Sequence, residues 1–417
     1  MPRNPRTDTT RVVVTGLGVV SPLGPLPDFW RRLTTGEHGI GPSDDLKTRR
    51  GTPATVARVT SWEPKEHVHV PALRRMDRLS RMIVSATRAA LTDARLALTT
   101  AAADSAGMVV GTAYGNVVET DQFIRRLQAR GPGLANALTF PNTVLNAPAG
   151  YAAIDRGLRG PNVTVAHGEA SGELALATAY DLIRSERADV MLAGAGDELA
   201  PLVFDIYDDL GLLSPNDGQH AWSSPFDRYR NGIVLGEGAA MLVLERAEHA
   251  AARGVEPYAE LRGHTAQRVA ATPHDWPATA AADPGDTARQ LEHLGWRPGV
   301  TDDLVISCAN STKRLDAFET ANLTRLLGAA ASSATVTSLR GAIGDFGGAG
   351  AMSAAAAVLA LRTGDLPRLG SLREPDPTCD LRLATLTRAP PAHGFERVLV
   401  SATPRGGGCR TLLFQRA

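Results

Sequence analysis

Two stretches of this chain, far apart in the sequence, follow one plan, and that repetition restricts the fold more than any other feature. Asn162-Val-Thr-Val-Ala-His-Gly-Glu-Ala-Ser-Gly172 reads as a strand entering a tight turn, followed by a small-residue helix from Glu173 to Ser185 and a strand from Asp189 to Gly194. Ala334-Thr-Val-Thr-Ser-Leu-Arg-Gly-Ala-Ile-Gly-Asp-Phe-Gly-Gly348 repeats the strand and turn, with an Ala-rich helix from Gly350 to Thr363 behind it. Apolar strands without polar alternation are buried on both faces. Helices of Ala, Gly and Ser can be approached closely from several sides. Strand, turn and buried helix, present twice, define a duplicated α/β unit with its sheets covered by helices. The joint is placed within residues 250–265, after the strand ending at Glu245. This gives an N-terminal half over 1–255 and a C-terminal half over 256–417.

The remaining patterns fill in the two halves. Arg11 to Val20 is a β-branched buried strand running into Ser21-Pro22-Leu23-Gly24. Helices are expected around Asp28–Gly36, from Met76 to Leu98 and from Thr120 to Arg130, the last stopped by Gly131-Pro132. Residues 267–299 form a long connection with a helix near Asp286–Leu294. The 44 basic and 44 acidic residues cancel, which argues against a nucleic acid or another polyanion as the main partner. Cys308, Cys379 and Cys409 form neither a metal-ligand spacing nor an even disulfide framework, which points to a reducing compartment. With no apolar run long enough to span a bilayer and a polar start, a cytoplasmic protein is expected.

Two local patterns carry little chemistry. Gly16-Leu-Gly-Val-Val-Ser21 ends in Ser and is followed by Pro22, which fits a strand-to-helix turn better than a dinucleotide loop. His67 and His69 lack the third and fourth ligands a zinc site needs and read as surface residues. No cofactor and no metal is expected.

A set of longer motifs resembles one family. Val12-Val-Val-Thr-Gly-Leu-Gly-Val-Val-Ser-Pro-Leu-Gly24 is similar to the opening of β-ketoacyl synthases, the thiolase-fold condensing enzymes of fatty-acid and polyketide synthesis. Met76-Asp-Arg-Leu-Ser80, Leu158-Arg-Gly-Pro-Asn162 and Ala188-Asp-Val-Met-Leu-Ala-Gly194 match in order. So do Pro225-Phe-Asp-Arg-Tyr-Arg-Asn-Gly-Ile-Val-Leu-Gly-Glu-Gly238 and the glycine-rich tail Arg405-Gly-Gly-Gly-Cys409. The resemblance runs nearly end to end. It implies an α/β duplicated thiolase fold, two βαβαβ-type halves in five layers, α-β-α-β-α.

The same resemblance puts the chemistry in doubt. Condensing enzymes need a cysteine nucleophile at a helix N-terminus, where the dipole favours the thiolate, and two histidines that stabilise developing oxygen charge. Counted from the matching motifs, the nucleophile position holds Glu169, the first histidine position Cys308 and the second Asp345. Arg340 stands at the position of the family's lysine. A carboxylate attacking a thioester gives a high-energy anhydride, so Glu169 is no substitute nucleophile. Cys308, at a strand end, lacks the helix start that would activate it. His167 lies two residues before Glu169, on the wrong side of the elbow, and reads as structural.

Within the family, the chain length factors of type II polyketide synthases share this profile. They pair with an active ketosynthase as a heterodimer and usually carry Gln where the cysteine stood. The resemblance implies a non-catalytic subunit that shapes the tunnel for a growing polyketide or polyene chain. The active ketosynthase is then the partner, with the acyl carrier protein engaged mainly through it. Glu169 is expected to pair with Arg340 or with the N–H groups of its own helix start. The tunnel-lining residues are expected to be Val117, Thr120 and Ile124, at i, i+3 and i+7 of one helix. Phe140, in Thr139-Phe-Pro-Asn142, is expected at the subunit interface, and Gly406 at the position of the family's gating phenylalanine. A second reading is a malonyl-carrier-protein decarboxylase, but relatives of that kind keep both histidines. A repurposed thiolase-fold acyltransferase is the remaining alternative.

Overall fold

A computed structural model describes residues 10–67, 73–98, 100–215, 221–278, 285–299 and 302–417. His69, with residues 279–284 of the long connection, lies outside the described residues. The N-terminal half holds β1 (Val12–Ser21), α1 (Arg78–Asp93), β2 (Ala106–Gly111), α2 (Val117–Arg130), α3 (Ala147–Arg156), β3 (Asn162–Val165), α4 (Ser171–Arg184), β4 (Val190–Asp197), α5 (Pro201–Asp209) and β5 (Gly238–Arg246). The C-terminal half holds β6 (Ala259–Arg268), β7 (Asp303–Ser307), α6 (Lys313–Leu327), β8 (Thr335–Ser338), α7 (Ala349–Thr363), β9 (Arg397–Ala402) and β10 (Gly408–Gln415).

The duplication is visible strand by strand. The first half pairs in the order β3-β2-β4-β5-β1 and the second in the order β8-β7-β9-β10-β6. In each, the first two contacts are parallel and the last two antiparallel. β1 joins β6 antiparallel, Val12 opposite Leu261 and Val14 opposite Ala259, so the halves share one sheet path.

Successive strand residues face opposite layers, and both layers are apolar. Met191 and Ala193 of β4, Leu242 and Leu244 of β5, Ile306 of β7 and Val400 of β9 pack on α4 and α7 in a central core. Leu192 and Val243 turn the other way, onto Ile83 and Val84 of α1. Val305 and Leu399 do the same onto Leu323 and Leu326 of α6. The result is helix, sheet, paired helices, sheet, helix, which is the duplicated thiolase fold the resemblance implied.

Small residues make the middle layer thin enough for this. A Cβ on Gly172 of α4 would lie 2.9 Å from the backbone carbon of Gly350 in α7, so the two helices cross nearly backbone to backbone. The Gly16-Leu-Gly18 pair has the same purpose and is not a turn. Both glycines lie inside β1, where a Cβ on Gly18 would run into the carbonyl oxygen of Ala86 on α1. The strand-to-helix turn expected at residues 16–21 therefore comes later, at Pro22–Leu23, after β1 has run its full length. Helix bounds shift too. α1 starts after its N-cap Asp77, whose carboxylate accepts from the Ser80 N–H, and stops where Arg95 takes a left-handed φ of 49°. α2 begins at Val117, three residues earlier than the apolar pattern suggests.

Candidate functional site

The two turns that the sequence repeats meet the glycine-rich loop between β9 and β10. After β3, a single 3-10 turn over Gly168–Ala170 leads into α4. Ser171 fixes this elbow by accepting from the His167 N–H at 2.9 Å and donating to the carbonyl oxygen of Gly168 at 2.7 Å. Glu169 sits on that turn. Its partner is neither Arg340 nor its own helix start, but Arg405 from the loop.

The Arg405 side chain sends Nε and Nη2 to Oε1 of Glu169 at 2.8 and 2.7 Å. Its backbone N–H reaches the other carboxylate oxygen at 3.3 Å. The guanidinium carbon lies 4.6 Å from the centre of the Tyr207 ring and 4.9 Å from that of Trp276. Nη2 also donates to the Tyr207 hydroxyl, which lies 2.5 Å from the hydroxyl of Tyr114. Burial pushes both phenols well above their ordinary range, so they stay neutral hydrogen-bonding groups at any working pH. Gly406 and Gly407 take left-handed φ values of 81° and 76°, which turn the chain back and bring the preceding arginine inward. The side chain closing on Glu169 therefore comes from Arg405, one residue before the expected gate at Gly406.

The other three positions singled out in the sequence, Arg340, Asp345 and Cys308, form a second group. Arg340 approaches Asp345 at 3.1 Å as an ion pair, without hydrogen-bond geometry at Nε. Asp345 accepts from Asn310 Nδ2 at 2.8 Å. Burial raises the Asp345 carboxyl, and the Arg340 charge works against that rise. Arg340 thus pairs with Asp345 and not with Glu169, because the short helix Arg340–Ile343 turns the chain so that both charges share one loop. Cys308 follows directly on β7, with its sulfur taking the Thr403 N–H at 3.1 Å. Burial, and then the nearby Glu319 carboxylate, raise its thiol well above normal. Glu319 itself accepts from Ser307, Ser401 and Thr403 at 2.7, 2.7 and 2.8 Å. His167 points Nε2 at the Gly408 carbonyl oxygen, 3.2 Å away, bracing the loop.

Acyl transfer through a thioester needs an accessible thiolate and cationic or hydrogen-bonding support for an oxyanion. Here Glu169, expected at the nucleophile position, is a carboxylate held by two hydrogen-bond donors and the guanidinium charge of Arg405. Cys308 is buried with its thiol raised well above normal, and the residues expected at the histidine positions, Cys308 and Asp345, carry no imidazole. Among the described residues, no cluster of three His, Cys, Asp or Glu could hold a metal ion, and no helix is long and apolar enough to cross a membrane.

The expected tunnel residues share α2, which has no fully buried residue. Val117 packs, partly buried, on the cluster that includes Phe204, Tyr207 and Cys308, Thr120 donates to the Thr143 carbonyl oxygen at 3.3 Å, and Ile124 is 45% exposed. Phe140 is 57% exposed and tilts against Phe123, ring centres 5.6 Å apart. Sequence reasoning missed Arg405, Tyr207, Tyr114 and Trp276. An arginine opening a run of three glycines was the one signal for the first, and nothing local marks the aromatics.

The architecture is that of a condensing enzyme, and the residues expected at its nucleophile and histidine positions are Glu169, Cys308 and Asp345. Residues 9–250 match the family model "Beta-ketoacyl synthase, N-terminal domain" and residues 258–373 match "Beta-ketoacyl synthase, C-terminal domain". The chain belongs to the β-ketoacyl synthase family. It is 32% identical over 388 residues to 3-oxoacyl-[acyl-carrier-protein] synthase 2 of Synechocystis sp., covering 89% of this chain and 90% of that one. Among solved structures it resembles the ishigamide ketosynthase/chain length factor, with a TM-score of 0.86, 28% identity and coverage of 98% of this chain and 99% of that one. It also resembles a type II PKS ketosynthase in complex with its acyl-carrier protein and bound to the hexaketide, with a TM-score of 0.83, 25% identity and coverage of 98% and 100%.

Proposed function

We propose that this chain is the chain length factor of a type II polyketide synthase. In this reading it is a ketosynthase-like subunit that does no condensation itself and shapes the acyl tunnel of an active ketosynthase partner. The observation that carries this reading is the replaced triad, with Glu169 tied to Arg405, Cys308 buried and protonated, and Asp345 tied to Arg340. Each position is filled by a side chain already committed to another partner.

The surface supports a partner of similar shape. Leu134, Leu138, Phe140 and Leu145, with Ile206 of α5 and its C-cap Leu210, are large apolar side chains left 47% to 75% exposed. Patches of this kind mark protein interfaces. β3 ends the sheet, with no strand on its outer side among the described residues, and an open strand edge is a ready site for pairing with another chain. α2 carries Val117, Thr120 and Ile124 on this same half-covered side, where a chain held by the partner would run. The ishigamide ketosynthase/chain length factor and the acyl-carrier-protein complex are structural relatives whose names describe such assemblies. The acyl carrier protein is then a partner of the complex, engaged mainly through the active subunit.

The test is co-expression with a ketosynthase, purification of the complex, and intact-mass measurement after acyl loading. A one-to-one complex of two chains of about this size (43.9 kDa each) carrying acyl label only on the ketosynthase supports the reading. A homodimer that takes up acyl label on this chain overturns it.

A further inference from the structure

We propose that Arg405 is the specificity-determining residue of this subunit: its side chain closes the approach to residue 169, so that no linear acyl chain enters the subunit's own site. The inference rests on the reading above that residue 169 is the former acyl-acceptor position, and it adds the device that keeps the position empty.

Three independent contacts hold the plug. The carboxylate of Glu169 takes the Nε–H and the backbone N–H of Arg405 and pairs with the charge at Nη2. Tyr207 and Trp276 present their rings to the guanidinium, at 4.6 and 4.9 Å. The turn at Gly406 and Gly407, with Gly407 pressed against the Val269 carbonyl oxygen, leaves the arginine backbone no latitude. Tyr114, Tyr207, Trp276 and Cys308 belong to one apolar cluster that extends to Val117 on α2. The guanidinium therefore stands between residue 169 and the cluster that would otherwise wall an acyl channel. An apolar chain arriving there meets a desolvated charge instead of a lipophilic slot, and it would have to break the stack to pass. In Glu169→Cys the two rings and the Tyr207 hydroxyl still hold the guanidinium, so the plug should survive the change.

That last point makes the inference testable with two probes of different size. The full-length chain would be prepared as Glu169→Cys and as Glu169→Cys with Arg405→Gly. Labelling at residue 169 would be followed by peptide mass spectrometry, which separates it from Cys308, Cys379 and Cys409. One probe is iodoacetamide and the other a hexadecyl haloacetamide. Arg405 should favour the thiolate and so speed the small probe, while blocking the long one. Relative to the single variant, the double variant should react about tenfold faster with the long probe and no faster with iodoacetamide. A long-probe rate equal in the two variants overturns the proposal, as does a parallel rise for both probes, which would mean simple loosening. Should Arg405→Gly fail to fold, as judged by thermal unfolding, Arg405→Gln takes its place under the same criteria. These outcomes bear on access to residue 169 alone. The subunit reading stands or falls separately, on assembly and on where acyl label appears.

Discussion

Arg405 and Glu169 are only 13% and 14% exposed at the side chain, so neither charge has water to fall back on. Removing one partner of such a pair leaves a desolvated charge, at a cost of about 3 kcal/mol. The two sides are not equivalent, however. Without Glu169, Arg405 keeps its two rings and the Tyr207 hydroxyl, whereas Glu169 without the Arg405 side chain keeps only the backbone N–H of residue 405. Arg405→Ala should therefore lower stability by about 3 kcal/mol and Glu169→Ala by clearly less, with the double variant losing less than the sum. Urea midpoints of the four proteins check this, and additive losses would mean that the pair is not coupled. Cys308 gives a second residue-scale prediction. Its buried, protonated thiol should resist iodoacetamide at pH 8 in the native protein and react at once in denaturant. Fast native labelling at Cys308 would contradict the placement.

At the scale of elements, the tight contact between β1 and α1 sets a steric limit. Gly18→Ala puts a methyl group into the Ala86 carbonyl of a buried helix, and overpacking against backbone should cost about 3 kcal/mol with little relief available. Thermal unfolding decides it, since an unshifted midpoint would mean that strand and helix separate freely. α2 is the element proposed to line the tunnel. Thr120→Phe places a large ring on the half-covered face between Val117 and Ile124, so a ketosynthase complex containing it should release shorter chains at unchanged assembly. Mass spectrometry of the released products reads the outcome, and an unaltered length distribution would remove α2 from the tunnel wall. These elements were largely legible in the sequence because strands such as Val12–Val14 and Val190–Leu192 are buried on both faces and so are written in apolar residues throughout. The bounds of α1 and α2 were less legible, since caps and a left-handed Arg95 decide them and neither changes the apolar pattern. In the site, motif spacing singled out Glu169, Cys308, Asp345 and Arg340 as expected positions. It misassigned the pairing of Glu169, because a contact between residues 169 and 405 depends on how a glycine turn aims one side chain across the fold.

Across the whole molecule, the thin middle layer has an electrostatic consequence. Glu173, on α4, is fully buried with both carboxylate oxygens lacking hydrogen-bond partners, and it packs directly on Gly350. Burial raises its pKa from 4.5 to about 7, with the charges of Arg340 and Arg410 opposing the rise and Glu319 adding to it. Burial does the same to Asp197, Glu198 and Asp316, lifting them to about 6, 8 and 7. Each of these acids keeps its proton in the folded chain at a pH where the unfolded chain has lost it. Folding therefore takes up protons between about pH 4.5 and 8, and stability must fall as pH rises through that window. The opposite group, typified by Asp376 at about 2, loses its contribution only below the ordinary carboxylate range and does not reverse the slope here. For Glu173 alone, the rise from 4.5 to about 7 corresponds to an upper limit of about 3 kcal/mol. Urea midpoints should thus be higher at pH 5.5 than at pH 8. Glu173→Gln, which cannot ionise, should flatten part of that slope by gaining most at pH 8. A wild-type midpoint that rises with pH over this range, or a slope left untouched by Glu173→Gln, would show that Glu173 reaches compensating donors and is not the isolated buried acid described above.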